Sequence, residues 1–324
     1  METGVILRLF KVLATAFILC GLQPAFSDDY PSKTIRVIFP GGAGGAGDVL
    51  ARVIGERFQE RTGQSLLVEP RPGGNAVIAM NAVTQSRPDG YTLISNSSVY
   101  SGGKFLHKSF TVDVLNDFEH IVEAVRISSY LVVRADSPFK SVGDLIAYGK
   151  ANPGKLNVGA SVGFNMDCAA LFHSMSMEVM QVPFAGGNQL APALMGGNLD
   201  LIVASMAPVR ALVSDGRLRI LAVIAPTRSG IMPDVPAITE AAPTAVTLQI
   251  HNGFSAPKGT PRAVIDKLNS EINAILRMPD VRARLSSSLG GDVTGGTPEE
   301  WRASQAQVLE RYAAAAKLLN LVPQ

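Results

Sequence analysis

The sequence predicts an α/β protein of two lobes, each built on a mostly parallel sheet, with a ligand cleft between them. Three observations carry that prediction. Short apolar runs of strand length alternate with helix-length segments from Ile35 to Ile224, and such alternation folds as parallel sheets with helices on both faces. The chain has 324 residues, enough for two such sheets with separate cores. Small polar loops follow strands in both halves, and sheets of this kind bind ligands beyond the carboxyl ends of their strands.

Taken in order, Ile35–Phe39 is a strand, and Asp48–Arg61 is a helix with Leu50, Ile54 and Phe58 on one stripe. Gly63 ends that helix and Leu66–Val68 is the next strand. A turn at Arg71-Pro72-Gly73-Gly74 opens a helix over Ala76–Gln85, and Pro88-Asp89-Gly90 turns the chain into strand Tyr91–Ile94 and the loop Ser95-Asn96-Ser97-Ser98. A second set of units starts at strand Tyr130–Arg134. Ser141 then caps a helix that stops near Asn152-Pro153-Gly154. Strands Leu156–Val158, Val179–Val182, Leu199–Ala204 and Ile220–Ile224 follow, with helices through Leu171 and around Leu194 between them. Three helical segments close the chain, around Ala263–Leu276, Val281–Leu289 and Glu299–Leu319.

Composition excludes several partner classes. With 17% charged residues and a formal charge of +2, the chain carries no electrostatic footprint for nucleic acid. Arg8 and Lys11 precede the apolar stretch Val12–Leu22, and Ala25-Phe26-Ser27 places small residues before Asp28. This is a secretory signal peptide over residues 1–27, too short in its apolar part to span a bilayer comfortably. Cleavage removes Cys20 and leaves Cys168 without an internal disulfide partner, so Cys168 reads as a small buried hydrophobe. His107, His120, His173 and His251 are scattered, without metal-ligand spacing.

The loop Pro40–Gly47 leads from a strand into a helix, where free first-turn N–H groups and small residues suit an anion. Gly42-Ala43-Gly44-Gly45-Ala46-Gly47 matches the dinucleotide fingerprint, with Glu69 where a ribose-binding acid would belong. Against a nucleotide stand the export signal and Asp48, which would face a pyrophosphate with like charge; no cofactor is expected. Asp48 reads either as a helix cap or as a rim residue that orients the loop for a ligand. Gly159-Ala160-Ser161-Val162-Gly163 matches a hydrolase nucleophile elbow, with Asp200 or Asp215 and then His251 following in hydrolase order. The competing reading, which we prefer, is that Ser161 offers its hydroxyl and the loop its N–H groups to a bound ligand. The site therefore has no catalytic and no metal-binding members.

With these residues in hand, the chain resembles the periplasmic solute receptors of tripartite tricarboxylate transporters. The resemblance runs through Tyr30–Pro40, Gly44-Gly45-Ala46-Gly47-Asp48, Ala51-Arg52, Val68–Gly73 and Pro88-Asp89-Gly90-Tyr91-Thr92-Leu93. It continues in Pro183-Phe184-Ala185-Gly186, Gly216–Val223, Pro233-Asp234-Val235-Pro236 and Ala256–Pro261. It implies a type II-like, Venus-flytrap binding fold without catalytic activity, located in the periplasm. Such a receptor binds a small carboxylate and delivers it, as a monomer, to a two-subunit membrane permease. A sensory receptor for a membrane signalling system is the alternative, and a secreted serine hydrolase using Ser161 is a more distant one. The implied lobes are Asp28–Ile127 plus Gln249–Gln324, and Ser128–Leu248.

The expected ligand-binding residues are Gly41, Gly42, Ala43, Gly44, Gly45, Asp48, Asn96, Ser97, Ser98, Ser161, Gly163, Asn165, Phe184, Gly186 and Ser205. Main-chain N–H groups, hydroxyls and waters can hold a carboxylate without a buried cation. Compared with the family pattern, Gly41 lacks an aromatic, Gly47 lacks a hydroxyl, and Phe184 stands where a tyrosine is usual. Ser205 stands where an acid or amide is usual, and the turn after Arg71 is shortened. These departures predict a roomier, more apolar pocket that suits a mono- or dicarboxylate with an apolar or aromatic body better than citrate.

Overall fold

One strand of 17 residues, β4 (Phe118–Arg134), organises the molecule. The computed structural model describes residues 30–161, 165–184 and 187–323. The expected signal peptide, Gly163 and Gly186 lie outside these residues.

Before β4 come β1 (Ile35–Phe39), α1 (Ala46–Thr62), β2 (Leu66–Pro70), α2 (Val77–Thr84), β3 (Thr92–Ser97), a 3-10 turn over Ser98–Gly102, and the short α3 (Gly103–Leu106). After it come α4 (Val142–Ala151), β5 (Asn157–Ser161), α5 (Asn165–Ser174), β6 (Met180–Phe184), α6 (Leu190–Met195), β7 (Leu201–Ser205), α7 (Arg210–Ser214), β8 (Leu218–Val223) and α8 (Ile238–Ala241). The chain then returns through β9 (Gln249–Pro257), α9 (Arg262–Leu276), α10 (Pro279–Leu289), β10 (Gly291–Val293) and α11 (Pro298–Leu318).

Each half contains a parallel trio, β2-β1-β3 in the first and β6-β5-β7 in the second. The antiparallel strands β9 and β4 join the trios in the order β2-β1-β3-β9-β4-β7-β5-β6. Up to Ser128, β4 pairs with β9; from Ser129 it pairs with β7, and from Tyr130 also with β8. At this change of partner, Ser129 N–H donates to Leu248 O, Ile224 N–H to Ser129 O, and Leu248 N–H to Ile224 O. Two separate cores lie over the sheet portion that follows the change, one around Phe172, Leu145 and Leu201, the other around Tyr130, Leu194 and Ile202. A further core around Ile38, Met80, Ile94 and Phe118 belongs to the first half.

The first part of β4 and most of β9 escaped the sequence reading. Extra residues interrupt the β4–β9 pairing between His120 and Val122 and again between Glu123 and Val125. Each such bulge shifts the two-residue alternation by one, so Phe118–Ile127 shows no clean strand period. Gly253 is required at this point, because a Cβ there would fall 2.2 Å from Val122 O and 2.9 Å from the Trp301 ring.

The helices follow their patterns. Val264, Ile265, Leu268, Ile272 and Ile275 of α9 face inward at helical spacing, each contributing about 1.5–3 kcal/mol by leaving water. Gly63 terminates α1 in the left-handed conformation, with its N–H bonded to Gln59 O. Ser141 begins α4 as expected, in a reciprocal capping box with Asp144. Replacing Ser141 with alanine should lower stability by about 1 kcal/mol; a urea midpoint unchanged from the parent would contradict that role.

Candidate functional site

The ends of the parallel strands fall together beside the change of partner in β4. In the first half, β1 ends at Phe39 and enters the glycine loop, while Ser97 at the end of β3 is paired with Asn252 of β9, itself opposite Val125. In the second half, Ser161 and Phe184 are paired at the ends of β5 and β6, and Ser205 ends β7 opposite Ser129. Four residues of β4 thus separate the two sets, about 13 Å at strand rise. Of the expected site residues, Gly41, Gly42, Ala43, Gly44, Gly45, Asn96, Ser97, Ser98, Ser161, Phe184 and Ser205 occupy strand ends or the turns that follow them, and Asn165 opens α5.

The glycine loop is organised from within. Asp48 is buried in the third position of α1, which begins after Gly45. Its carboxylate accepts from Gly44 N–H at 2.9 Å and from Arg52 Nε at 3.1 Å. Burial alone would raise its pKa, but the bonds from Arg52 and Gly44 hold it below the ordinary value. Asp48 therefore shapes the loop rather than capping the helix at its first residue. Gly45 N–H is likewise used, donating to Gly42 O. The amides of Ala46, Gly47 and Asp48, in the first helical turn, have no carbonyl one turn earlier within the helix.

The wall expected to be missing at Gly41 is filled. A Cβ at Gly41 or Gly47 would come within 2.5 Å of the Phe39 ring, and one at Gly45 within 3.0 Å. Three glycines thus fold round one buried aromatic, whose ring occupies the space that a side chain at these positions would take. The Tyr100 hydroxyl lies 3.1 Å from the same Gly41 position, and burial raises its pKa. Ser95 Oγ donates to Gly47 O at 2.9 Å, returning a hydroxyl to the place where Gly47 lacks one. The sequence reading missed Phe39 and Tyr100 as site residues; the adjacency of Phe39 to the loop was the available signal.

Polar groups are buried behind the β3 end. Asn96 Oδ1 accepts from Ser97 N–H, and Ser98 Oγ accepts from His251 N–H at 3.0 Å. His251 Nδ1 lies 2.9 Å from both Glu123 Oε1 and Ser304 Oγ, and Arg126 bonds both oxygens of Glu123 at 3.0 Å. Because Glu123 is ionised at neutral pH, a proton on Nδ1 is what joins His251 to it. Ser129, in the polar pair Ser128-Ser129 that interrupts an apolar run, is buried with its hydroxyl unpartnered beside the β7 end. Both serines went unrecognised in the sequence.

The enzyme signals find other uses. Glu69 is bonded to Arg36 at 2.7 Å and to Arg71 at 3.1 Å, which leaves it engaged where a ribose would need it free. Cys168 is buried, with burial and the neighbouring Asp167 pushing its thiol up to about 12. Among the described residues no cluster of His, Cys, Asp and Glu could hold a metal, and no helix is long and apolar enough to cross a membrane.

Residues 50–313 match a family model described as the tripartite tricarboxylate transporter family receptor. The chain is 32% identical over 296 residues to a UPF0065 protein from the tcbD–tcbE intergenic region of Pseudomonas sp. strain P51, covering 90% of this chain and 88% of that one. It is similar to the solved structure of R. palustris Rpa4515 with adipate, at 27% identity and a TM-score of 0.76, over 91% of this chain and all of the other. Similar too is MatC (Rpa3494) from Rhodopseudomonas palustris with bound malate, at 25% identity and a TM-score of 0.72, over 89% of this chain and all of that one.

Proposed function

We propose, from the premise that the chain belongs to the tripartite tricarboxylate transporter receptor family, that it captures a small carboxylate between two lobes and hands it to a two-subunit membrane permease. The observation that carries this reading is the convergence of Gly-, Ser- and Asn-rich strand ends on the β4 partner change, with no lysine or arginine among the expected site residues. First-turn amides of α1 and the hydroxyls at the ends of β3 and β7 supply donors for a carboxylate. Ser161, Gly163, Asn165, Phe184 and Gly186 would complete the opposite side. We place the lobes at Asp28–Ile127 plus Gln249–Gln324 and at Ser128–Leu248, because β4 changes partners at Ser128/Ser129 and β9 begins at Gln249. The protein acts in the periplasm after removal of residues 1–27, and binds rather than transforms its ligand.

Relatives hold adipate and malate, and the aromatic rings of Tyr100 and Phe184 favour a ligand with an apolar or aromatic body on this chain. Calorimetry against benzoate, phenylacetate, adipate, malate and citrate tests this. Aromatic or medium-chain acids should bind at least about tenfold more tightly than citrate, a difference of about 1.4 kcal/mol. Tight citrate binding with no response to aromatic acids would overturn the ligand class, and silence across the panel would overturn the carboxylate reading.

A further inference from the structure

The C-terminal helix α11 belongs to the first lobe at its start and touches the second at its end. Trp301 and Ser304 face β4 and β9, whereas Val308, Tyr312, Ala315 and Ala316 pack on Met166 and Ala170 of α5, with Val246 beside them. Within this apolar contact lies a polar one. The Tyr312 hydroxyl donates to Asp167 Oδ2 at 3.1 Å, and Arg311 Nε faces Asp167 Oδ1 at 3.7 Å. Tyr312 and Asp167 are both buried, and burial raises the pKa of each. On its other side the Tyr312 ring lies against Gly102, where a Cβ would meet it at 3.2 Å.

This position joins the two halves of the candidate site. Gly102 closes the turn that follows β3, and Asp167 is in the first turn of the helix that follows β5. A buried carboxylate is costly until its oxygens are bonded. Here one oxygen has its donor, while Oδ1 and Arg311 Nε face each other with no hydrogen-bond partner. An approach of about 0.5–1 Å between α5 and α11 would bring that pair into hydrogen-bond range.

We propose that Tyr312, Arg311 and Asp167 form a latch between the lobes. Tyr312 holds the ligand-free protein close to its closed form, and ligand-driven closure completes the Arg311–Asp167 bond. The inference rests on the receptor reading above and adds a control over its closure. It departs from a pure ligand-as-bridge picture, since part of the closed state's stability comes from the protein alone.

The test uses spin labels on Gln59→Cys of α1 and Lys150→Cys of α4, both exposed, in the otherwise intact protein. Cys168 stays unlabelled because it is buried and its thiol is raised to about 12. Without ligand, the unsubstituted latch should give one short interlobe distance. Tyr312→Phe, which deletes only the hydroxyl, should add a longer population and lower the closed-to-open ratio about tenfold, as expected for a lost bond to a charged group. Asp167→Asn should act in the same direction, and adipate should restore the short distance at a correspondingly higher concentration. Unchanged distance distributions in both variants would overturn the latch, whatever ligand binds. If the variants open but no carboxylate recloses them, the latch stands and the carboxylate reading falls.

Discussion

Replacing Gly47 with alanine is expected to cost about 2–3 kcal/mol of stability and to weaken carboxylate binding by an order of magnitude or more. The new methyl would sit 2.5 Å from the Phe39 ring and 2.9 Å from Ser95 Oγ. The ring cannot retreat, since Gly41 and Gly45 already hem its other edges. Relief must come from the loop, and that displaces the amides that would meet a carboxylate. A second substitution makes the cause testable: Phe39→Leu in the Gly47→Ala background should recover about 1 kcal/mol or more, a coupling expected only between touching groups. Additive losses in denaturant midpoints would mean that the loop tolerates a side chain at this position by some other movement.

Glu123→Gln should cost about 2–3 kcal/mol at pH 7 and much less at pH 3. Burial by itself would raise the Glu123 pKa, but hydrogen bonds from His251 and Arg126 outweigh it and bring the carboxyl down from 4.5 to about 2. A carboxyl whose folded pKa lies below its unfolded value stabilises the fold above the unfolded value, near 4.5, and loses that contribution as pH falls toward 2. Each pH unit of separation is worth about 1.4 kcal/mol. The substituted protein lacks the ionisation, so the two stability curves should converge on acidification. Urea unfolding of both proteins across that window measures the difference, and a gap that is constant with pH would show that Glu123 acts through shape rather than charge.

Much of the scaffold could be read from the chain because its strands are short, apolar and punctuated by Gly, Pro and Asn. What remained hidden arises from non-local pairing. The bulges at Ile121 and Ala124 are consequences of how β9 lies on β4, and without them Phe118–Ile127 would alternate visibly. The loops at the strand ends were legible as loops, since glycine and serine announce them. Their filling was not, because the direction of the Phe39 ring depends on a fold that the loop residues do not encode by themselves. Ser304 and Tyr312 look like ordinary members of an amphipathic helix. The signal was that α11 places them on the same face as Trp301 and Val308, where a purely structural helix would carry aliphatic side chains.

A strand shared by two sheets also has a thermodynamic consequence. Removing the second half would strip Ser129–Arg134 of both its neighbours, and removing the first would leave Phe118–Ser128 equally bare. Neither half can melt without exposing backbone groups that belong to the other. The lobes proposed above would swing about Ser128 and Ser129, yet the strand they share couples their unfolding. Mobility and stability would thereby fall on different coordinates of the same strand: the proposed closure bends it at Ser128 and Ser129, while its pairing on either side of that point ties the halves together.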